Sequence, residues 1–422
     1  MSINTPLGDT LGGFLAALFA GRSAITRWKT IDADPIYSKV GGDLSQYDIE
    51  GRIRQLQPRT PEAVYKRLRR LVPRSPWSTR LTMLSALDAW LDAGWGGGAP
   101  APESVATVVA GHNLNQGHQY AQRLQFAEEP DYMDSLLALN GLDTDHAGCV
   151  SEVLQVRGPL YTVGAACASG NVALRCGVDE IRHHGMNAAL VVGAALDFSP
   201  LELHAITLMG AISIQSFNDC PASASRPYDT RREGFVPSHG CGALVLEPLA
   251  QATARGARIH AEIVGVEANS DGSHLPQPSE DGQTRLMQQA LDRCGVHPSQ
   301  IDFISAHATS TPLGDVTEIR SVENVFGDHA RRLKINAAKS MLGHTCWASP
   351  IVETVAAVLQ MQAGRLHPSI NIDELDADVE LDVCRDGPVE WPIRYAMKNS
   401  FGFGGINCVS ILRRWDPMDA AS

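Results

Sequence analysis

The spacing of apolar residues predicts helices in the first hundred residues of the chain. Residues 8–21 form a short apolar run, and residues 60–71 place basic and apolar side chains at helical intervals. In residues 78–93 the leucines recur at helical spacing, Ser78 stands where a cap is expected, and Gly94 follows the last apolar position. These three segments are therefore predicted to be helices.

Short apolar runs further along the chain predict strands that alternate with helices. The predicted strands are residues 105–110, 189–194, 242–246, 259–266, 301–304 and 333–336, with helices at 283–294 and roughly 349–363. This alternation is typical of an α/β protein with a largely parallel sheet. Segments 160–184 and 333–363 each contain a strand, a turn of small residues and an apolar helix. We therefore predict an internal duplication whose two turns meet at a pseudo-twofold axis.

Composition narrows the classes of function. The 422 residues carry a formal net charge of −12, which argues against nucleic acid as a partner. Nine cysteines occur without CxxC pairs or zinc-ligand spacing, which favours a reduced, cytoplasmic protein with no metal site. No apolar run reaches the ~18 residues of a membrane span, so no span is expected.

Cys167 lies in a turn of small residues, Ala-Ala-Cys-Ala-Ser-Gly, between a predicted strand and a predicted helix. The free N–H groups and dipole of a helix N-terminus favour a thiolate, so we expect a lowered pKa at this sulfur. The alternative is a buried cysteine that only packs. Cys346 is the nearest competitor, because it lies two residues from His344.

Two histidines and a lysine follow strands in the second half of the chain. His307 ends a short apolar strand, and Lys339 and His344 flank the turn equivalent to that of Cys167. Each histidine alone is more often a core residue, but a cysteine with two turn histidines suits acyl transfer and carbanion stabilisation. Segment 399–407 (NSFGFGGIN) adds glycines whose backbone N–H groups can approach a ligand as in an oxyanion hole.

These four segments, in this order and spacing, resemble the β-ketoacyl-carrier-protein synthases, which are elongating condensing enzymes of the thiolase superfamily. Further matching segments are 5–8 (TPLG), 226–229 (RPYD), 233–236 (EGFV) and Ser270-Asp271 with His274. The resemblance implies a thiolase-like α/β fold made of two duplicated α-β-α-β-α halves with mixed five-stranded sheets. Residues 1–252 would carry the nucleophile, residues 253–412 the histidines and the glycine-rich gate, and residues 413–422 a tail.

The resemblance also implies a ping-pong acyltransferase reaction. Cys167 would accept an acyl group from carrier-bound phosphopantetheine, and its N–H and that of Phe403 would form the oxyanion hole. Phe403 and Phe401 would gate the site. His307 and His344 would hold the thioester oxygen while malonyl-carrier protein loses carbon dioxide, and one fixed donor to such an oxygen is typically worth ~3 kcal/mol.

Other residues are assigned supporting roles by the same resemblance. Lys339 would be a buried lysine paired with Glu318, and Glu353 a carboxylate on the following helix. Thr309 and Thr311 would bind the pantetheine arm.

The expected partner is an acyl carrier protein supplied in trans, with no cofactor beyond its phosphopantetheine. Lys66, Arg67, Arg69 and Arg70 offer a local basic face for this acidic partner, the alternative being a solvated helix face. A homodimer is expected from the resemblance alone.

The chain departs from the family pattern at several positions. The apolar first strand, expected to be central in the sheet, has no counterpart in residues 1–8, so we expect it to be missing. Trp347 replaces a glycine, Pro350 fits only as a first-turn residue of a helix, Ala308 replaces a glycine and Ile406 a threonine. These changes favour a specialised pathway of the polyketide kind over housekeeping lipid synthesis.

Two other functions remain open from the sequence. The first is decarboxylation of malonyl-carrier protein without condensation, and the second is a non-catalytic partner subunit that sets chain length. Relatives of both kinds generally lack the nucleophile, so the retained Cys167 favours condensation.

Overall fold

The computed structural model describes residues 1–213 and 216–416. Its strands are β1 (Ser2–Asn4), β2 (Ile25–Arg27), β3 (Val40–Gly42), β4 (Val105–Ala110), β5 (Leu160–Val163), β6 (Ala188–Gly193), β7 (Cys241–Leu246), β8 (Ala261–Ser270), β9 (Phe303–Ser305), β10 (Lys334–Asn336), β11 (Arg365–Leu366), β12 (Val389–Glu390), β13 (Tyr395–Gly402) and β14 (Ile406–Arg414). The last strand runs two residues into the predicted tail, and residues 417–422 of that tail lie outside the described residues.

The helices alternate with these strands along much of the chain. They are α1 (Leu11–Phe19), α2 (Ile49–Leu56), α3 (Glu62–Leu71), α4 (Trp77–Asp92), α5 (Gln116–Glu128), α6 (Leu137–Asn140), α7 (Thr144–Leu154), α8 (Ser169–His184), α9 (Pro200–Leu208), α10 (Leu249–Ala254), α11 (Glu280–Cys294), α12 (Pro312–Phe326), α13 (Lys339–Leu342) and α14 (Ser349–Ala363). The sequence placed α14 correctly, and it placed the other predicted elements to within a few residues.

Two five-stranded sheets repeat one topology. The strand order is β1-β7-β6-β4-β5 in the first sheet and β10-β9-β13-β14-β8 in the second. When the five sheet strands of each half are counted along the chain, and the first sheet is read from β5 to β1, both sheets have the order third, second, fourth, fifth, first. The fifth strand is antiparallel to its neighbours in both, as at β6–β7 and β13–β14. The predicted duplication and the mixed sheets are therefore confirmed.

The expectation that the first strand is missing was wrong. β1 pairs antiparallel with β7, from Ser2 opposite Ala243 to Asn4 opposite Cys241. The position is an edge and not the centre of the sheet, so a three-residue strand with one neighbour satisfies it. Ile3 is buried, and the Ser2 hydroxyl donates to the backbone oxygen of Ser85, which fixes the strand against α4.

Three helical layers enclose the two sheets. α8 packs against α14 between the sheets, in a core that joins Leu174 of the first half to Val352 and Val355 of the second. α4 and α7 cover the outer face of the first sheet, and α11 and α12 that of the second. Because α8 and α14 both begin in this middle layer, the turns before them face each other.

The predicted cap of the 78–93 helix was wrong. α4 begins at Trp77 after Pro76, which leaves Ser78 inside its first turn. There the Ser78 hydroxyl bonds the backbone oxygen of Ala195 and lies 3.0 Å from Nε2 of the buried His146. Within the described residues, no helix is both long and apolar enough to span a bilayer.

Candidate active site

Cys167 lies in a tight turn between β5 and α8, two residues before the helix begins. Ala166 adopts a φ of +44°, which is uncommon for a residue with a side chain. The Ser169 hydroxyl accepts from Ala165 N at 2.8 Å and donates to Ala166 O at 2.6 Å, holding the turn closed. Cys167 is 6% exposed, and its own N–H and that of Phe403 act on the sulfur. Both predicted oxyanion-hole donors therefore meet at this atom.

The thiol of Cys167 is not the resting thiolate that the sequence predicted. Burial raises its pKa to about 11, although the Lys339 charge and the two N–H groups act in the opposite direction. Loss of hydration disfavours the charged sulfur more than these groups favour it. The raised pKa therefore favours a protonated Cys167 thiol near neutral pH.

The two predicted histidines face this sulfur. Cys167 Sγ and one ring nitrogen each of His307 and His344 all lie within 4.8 Å of one another, and the two ring centroids are 5.7 Å apart. His307 follows β9, and His344 follows β10 and α13, in the turn that corresponds to that of Cys167. Such a trio could also hold a soft divalent cation, but a thiol between two imidazoles suits acyl transfer equally well.

The hydrogen bonds of His344 identify its tautomer. Nδ1 accepts from Cys346 N at 3.0 Å, which places the proton of the neutral ring on Nε2. That buried Nε2 has no partner among the described residues. Burial, with the charges of Lys339 and Lys398, lowers the pKa of both His307 and His344 well below its usual range. Both rings are therefore neutral, and His344 has an unpaired N–H donor.

The predicted pairing of Lys339 with Glu318 was wrong. Lys339 Nζ lies 2.5 Å from Glu353 Oε1, and Lys398 Nζ lies 2.8 Å from Glu353 Oε2. Glu318 instead accepts from the backbone N–H groups of His307 and Ala308, at 2.9 and 2.8 Å, and from Asn399 Nδ2 at 2.9 Å. Glu353 thus binds the two lysines, whereas Glu318 holds the loop that begins with His307 and Ala308, called here the histidine loop.

Sequence reasoning missed Lys398. The signal was a charged residue inside an otherwise apolar strand, directly before the glycine-rich segment (AMKNSFGFGG). Such a residue in a central strand must find a buried partner.

A cavity of about 250 Å³ opens onto Cys167. Its walls include both histidines, Thr309, Thr311, Phe401 and Phe403, together with the 275–278 loop. The Phe401 ring lies edge-to-face with the His307 ring, with centroids 5.8 Å apart, and the centroids of the Phe403 and Phe235 rings are 6.4 Å apart. A Cβ at Gly402 would meet Ala165 O at 2.9 Å, so glycine is needed for this close approach of the β13–β14 hairpin. The assigned gate residues therefore line the cavity beside the nucleophile.

The two threonines assigned to the pantetheine arm stand together in this cavity. Thr309 Oγ1 and Thr311 Oγ1 are 3.1 Å apart, and Thr311 also caps α12 by accepting from Gly314 N. Their role in binding the arm stays a prediction.

The substituted positions pack beside the site. Trp347 stacks on His112 with ring centroids 4.2 Å apart, and Pro350 stands in the first turn of α14, as predicted. A Cβ added at Gly164, three residues before the nucleophile, would lie only 3.0 Å from the His112 ring. Trp347 therefore fills space behind the Cys167 turn.

The predicted docking residues on α3 have partners within the chain. Lys66 pairs with Glu62 at 3.1 Å, Arg69 with Glu50 and Arg70 with Glu152, and Arg67 Nε donates to Val153 O. α3 packs on α7, and its side chains do not line the cavity. A docking role for this helix stays a prediction.

Comparison with known families identifies the family to which the chain belongs. The family described as "Beta-ketoacyl synthase, N-terminal domain" matches residues 1–252, and its C-terminal counterpart matches residues 260–373. The chain therefore belongs to the β-ketoacyl synthase family and is an acyltransferase of the ketosynthase type.

Several relatives match over nearly their whole length. A polyketide biosynthesis malonyl-ACP decarboxylase, PksF of Bacillus subtilis, is 27% identical over 96% of this chain and 93% of its own. A 3-oxoacyl-[acyl-carrier-protein] synthase 2 of Coxiella burnetii is 29% identical over 98% and 97%. The crystal structure of a beta-ketoacyl synthase from Burkholderia phymatum superposes with a TM-score of 0.85 at 28% identity, over 98% of both chains.

Proposed function

We propose that this ketosynthase joins a Cys167-bound acyl group to a malonyl unit carried by an acyl carrier protein. The Cys167 sulfur loses its proton, attacks the acyl thioester and releases the carrier thiol, which takes up a proton. A malonyl-carrier thioester then loses carbon dioxide. The resulting enolate attacks the acyl carbonyl, a carbon–carbon bond forms, and the carbon–sulfur bond to Cys167 breaks.

The observation that carries this proposal is the unpaired Nε2–H of neutral His344 beside the Cys167 sulfur. Decarboxylation leaves charge on the thioester oxygen, and fixed N–H donors in a dry cavity stabilise that charge without reorganising. Neutral His307 faces the same space and supplies a second donor. The backbone N–H groups of Cys167 and Phe403 serve the acyl carbonyl of the other half-reaction.

Intact-protein mass spectrometry tests the proposal. Incubation with an acyl-carrier thioester should add one acyl mass to the wild type and none to Cys167→Ala. Cys346→Ala is the matched control, because Cys346 is also buried near the site but should not be acylated. Malonyl-carrier protein should then discharge the adduct as a 3-oxoacyl product.

Decarboxylation without condensation is a second candidate, favoured by the similarity to the decarboxylase PksF. It requires carbon dioxide release with no acyl adduct at any stage. Absence of both activities would instead support a non-catalytic, chain-length-setting subunit.

We further propose that the pathway is of the polyketide kind, that the carrier protein acts in trans and that the enzyme works in the cytoplasm. The names of the relatives mention acyl carrier protein, and Trp347 and Pro350 depart from the family pattern, which favours a specialised pathway. The described cysteines are free thiols, in keeping with a reducing compartment. Condensation rates measured with carrier proteins from polyketide and from fatty-acid systems test the choice of pathway, and a higher rate with the polyketide carrier is expected.

We also propose a homodimer. β5 is an edge strand whose outer backbone groups have no strand partner among residues 1–213 and 216–416. Segment 124–142 exposes Leu124, Phe126, Tyr132 and Leu139 by half or more. An unpaired strand edge and an exposed apolar segment each favour association with a second copy. Light scattering should give twice the 45.4 kDa chain mass, and a charged substitution at the exposed Leu139 should lower it.

A further inference from the structure

Lys398 is a second buried cation on the carboxylate that binds Lys339. Its side chain is 0% exposed, and Nζ lies 2.8 Å from Glu353 Oε2 while Lys339 Nζ occupies Oε1. Nζ also donates to Asn399 O and lies 3.3 Å from Ser400 Oγ. One glutamate is therefore shared by two ammonium groups inside the protein.

The charge of this trio follows from simple addition. Glu353 with Lys339 alone would be neutral, whereas Glu353 with both lysines carries one net positive charge. The charge of Glu318 also acts on Lys398, but less than that of Glu353, and the Glu318 oxygens accept N–H bonds from His307, Ala308 and Asn399 instead of binding a lysine. Because burial of a cation is costly without a partner, a second lysine here must be held by the rest of the site.

We infer that Lys398 is a positioning residue that occupies Glu353, so that the ammonium charge of Lys339 acts on the Cys167 sulfur instead of being cancelled. The inference rests on the proposed roles of Cys167 and the two histidines. Lys398 touches no reacting atom itself, and it acts through Glu353 and Lys339.

The directions of the pKa shifts agree with this geometry. At Cys167 the charge of Lys339 lowers the thiol pKa and that of Glu353 raises it. Both lysines lower the pKa of His307 and of His344. A net positive trio thus assists ionisation of the sulfur and keeps the imidazoles neutral.

Alkylation of Cys167 by iodoacetamide tests the inference without any carrier protein. Lys398→Met removes the charge, and Lys398→Gln removes it while keeping a donor for Asn399 O. Each should slow alkylation at pH 8 about tenfold, the effect of a one-unit rise in thiol pKa. Lys334→Met, at a lysine that pairs with Asp382 in the second sheet, should leave the rate unchanged. Thermal unfolding of each variant identifies those that fold.

A double variant separates charge from packing. Lys398→Met with Glu353→Gln again leaves one net positive charge, on Lys339, so alkylation should recover to within about threefold of the wild-type rate. Equal rates in wild type, Lys398→Met and Lys398→Gln, or no recovery in a folded double variant, would overturn the inference. Loss of acyl adducts in the wild type would refute the proposed function instead, and would leave the alkylation result standing.

Discussion

The protonation state of Cys167 gives a direct prediction at the scale of single residues. Because its pKa is raised to about 11, the thiolate fraction should grow about tenfold per pH unit between pH 7 and pH 10. Alkylation by iodoacetamide, followed by peptide mass spectrometry, should rise with that slope. The exposed Cys220 provides the reference for reagent quality in the same digest. A plateau below pH 9 would contradict the prediction.

Sequence motifs placed the three central residues correctly but not their partners. Cys167, His307 and His344 each follow a strand at the same end of the layers, so motif and topology were enough to bring them together. The partner of Lys339 depends on whether α12 or α14 approaches it through space. Both helices carry a buried glutamate, and no spacing rule distinguishes Glu318 from Glu353.

The corrected role of Glu318 gives a second prediction. Glu318→Gln places an amide against the N–H groups of His307 and Ala308, which should misplace the His307 loop. Charge-assisted hydrogen bonds are worth roughly 1.5–3 kcal/mol, so decarboxylation should slow about ten- to hundredfold. Alkylation of Cys167 should change less than about twofold, because Lys339 keeps its own carboxylate. Glu323→Gln on the same helix is the control, and a larger effect on alkylation than on decarboxylation would contradict the assignment.

At the scale of elements, the spacing of apolar residues predicted most helices and strands, but it missed one short strand and the residue at which one helix begins. The helix α14 and the strand β4 have the predicted bounds. β1 was missed because three residues are too few for an apolar run, and only pairing with β7 identifies them as a strand. Ser78 was misread as a cap because Pro76, which precedes the helix, sets its start instead.

The contact between the β13–β14 hairpin and the nucleophile turn predicts the effect of a single methyl group. In Gly402→Ala the new Cβ would lie 2.9 Å from Ala165 O and 3.3 Å from the Ala166 side chain, so hairpin and turn must separate. The Phe403 N–H would then leave the Cys167 sulfur, and acyl-adduct formation should slow about a hundredfold, as for loss of an oxyanion donor. Gly148→Ala, in open space within α7, should retain the wild-type rate. Wild-type rates in folded Gly402→Ala would contradict this account.

At the scale of the whole molecule, the duplication explains both what was predictable and what was not. A repeated strand, turn and helix indicated two matching halves, and their middle-layer helices brought the turns together as expected. The resemblance supplied the layer order. Lys398 lies in β13, and the corresponding strand of the other half, β6, has only apolar residues and glycine, so the role of Lys398 emerges only from its contact with α14.

Buried neutral histidines make the whole fold sensitive to acid. Burial lowers the pKa of His146 to about 3 and that of His367 to about 4, and it lowers those of His307 and His344 well below 6.5. Between these values and 6.5 the unfolded chain binds more protons than the folded chain, so stability is lost as pH falls. Asp315, whose pKa burial raises to about 6, acts in the opposite direction between about pH 6 and 4. Burial also raises the pKa of five other carboxyls, which oppose the histidines in the same sense: Asp88, Asp145, Asp197, Glu202 and Asp271.

The free energy of unfolding should therefore fall below pH 6.5. Each such imidazole costs up to about 1.4 kcal/mol per pH unit, and the carboxyls with raised pKa values offset part of that sum, so the free energy of unfolding should be lower at pH 5 than at pH 6. Urea unfolding at pH 7.5, 6 and 5 measures it. His146→Gln removes one buried ring, so it should reduce the change in unfolding free energy per pH unit by the contribution of one imidazole. His184→Gln, at the exposed end of α8, should leave that pH dependence unchanged. Equal stability at pH 7.5 and pH 5, in both the wild type and His146→Gln, would contradict the prediction and would mean that these rings are hydrated in the folded protein. The cavity that keeps the histidines beside Cys167 neutral would then be hydrated as well.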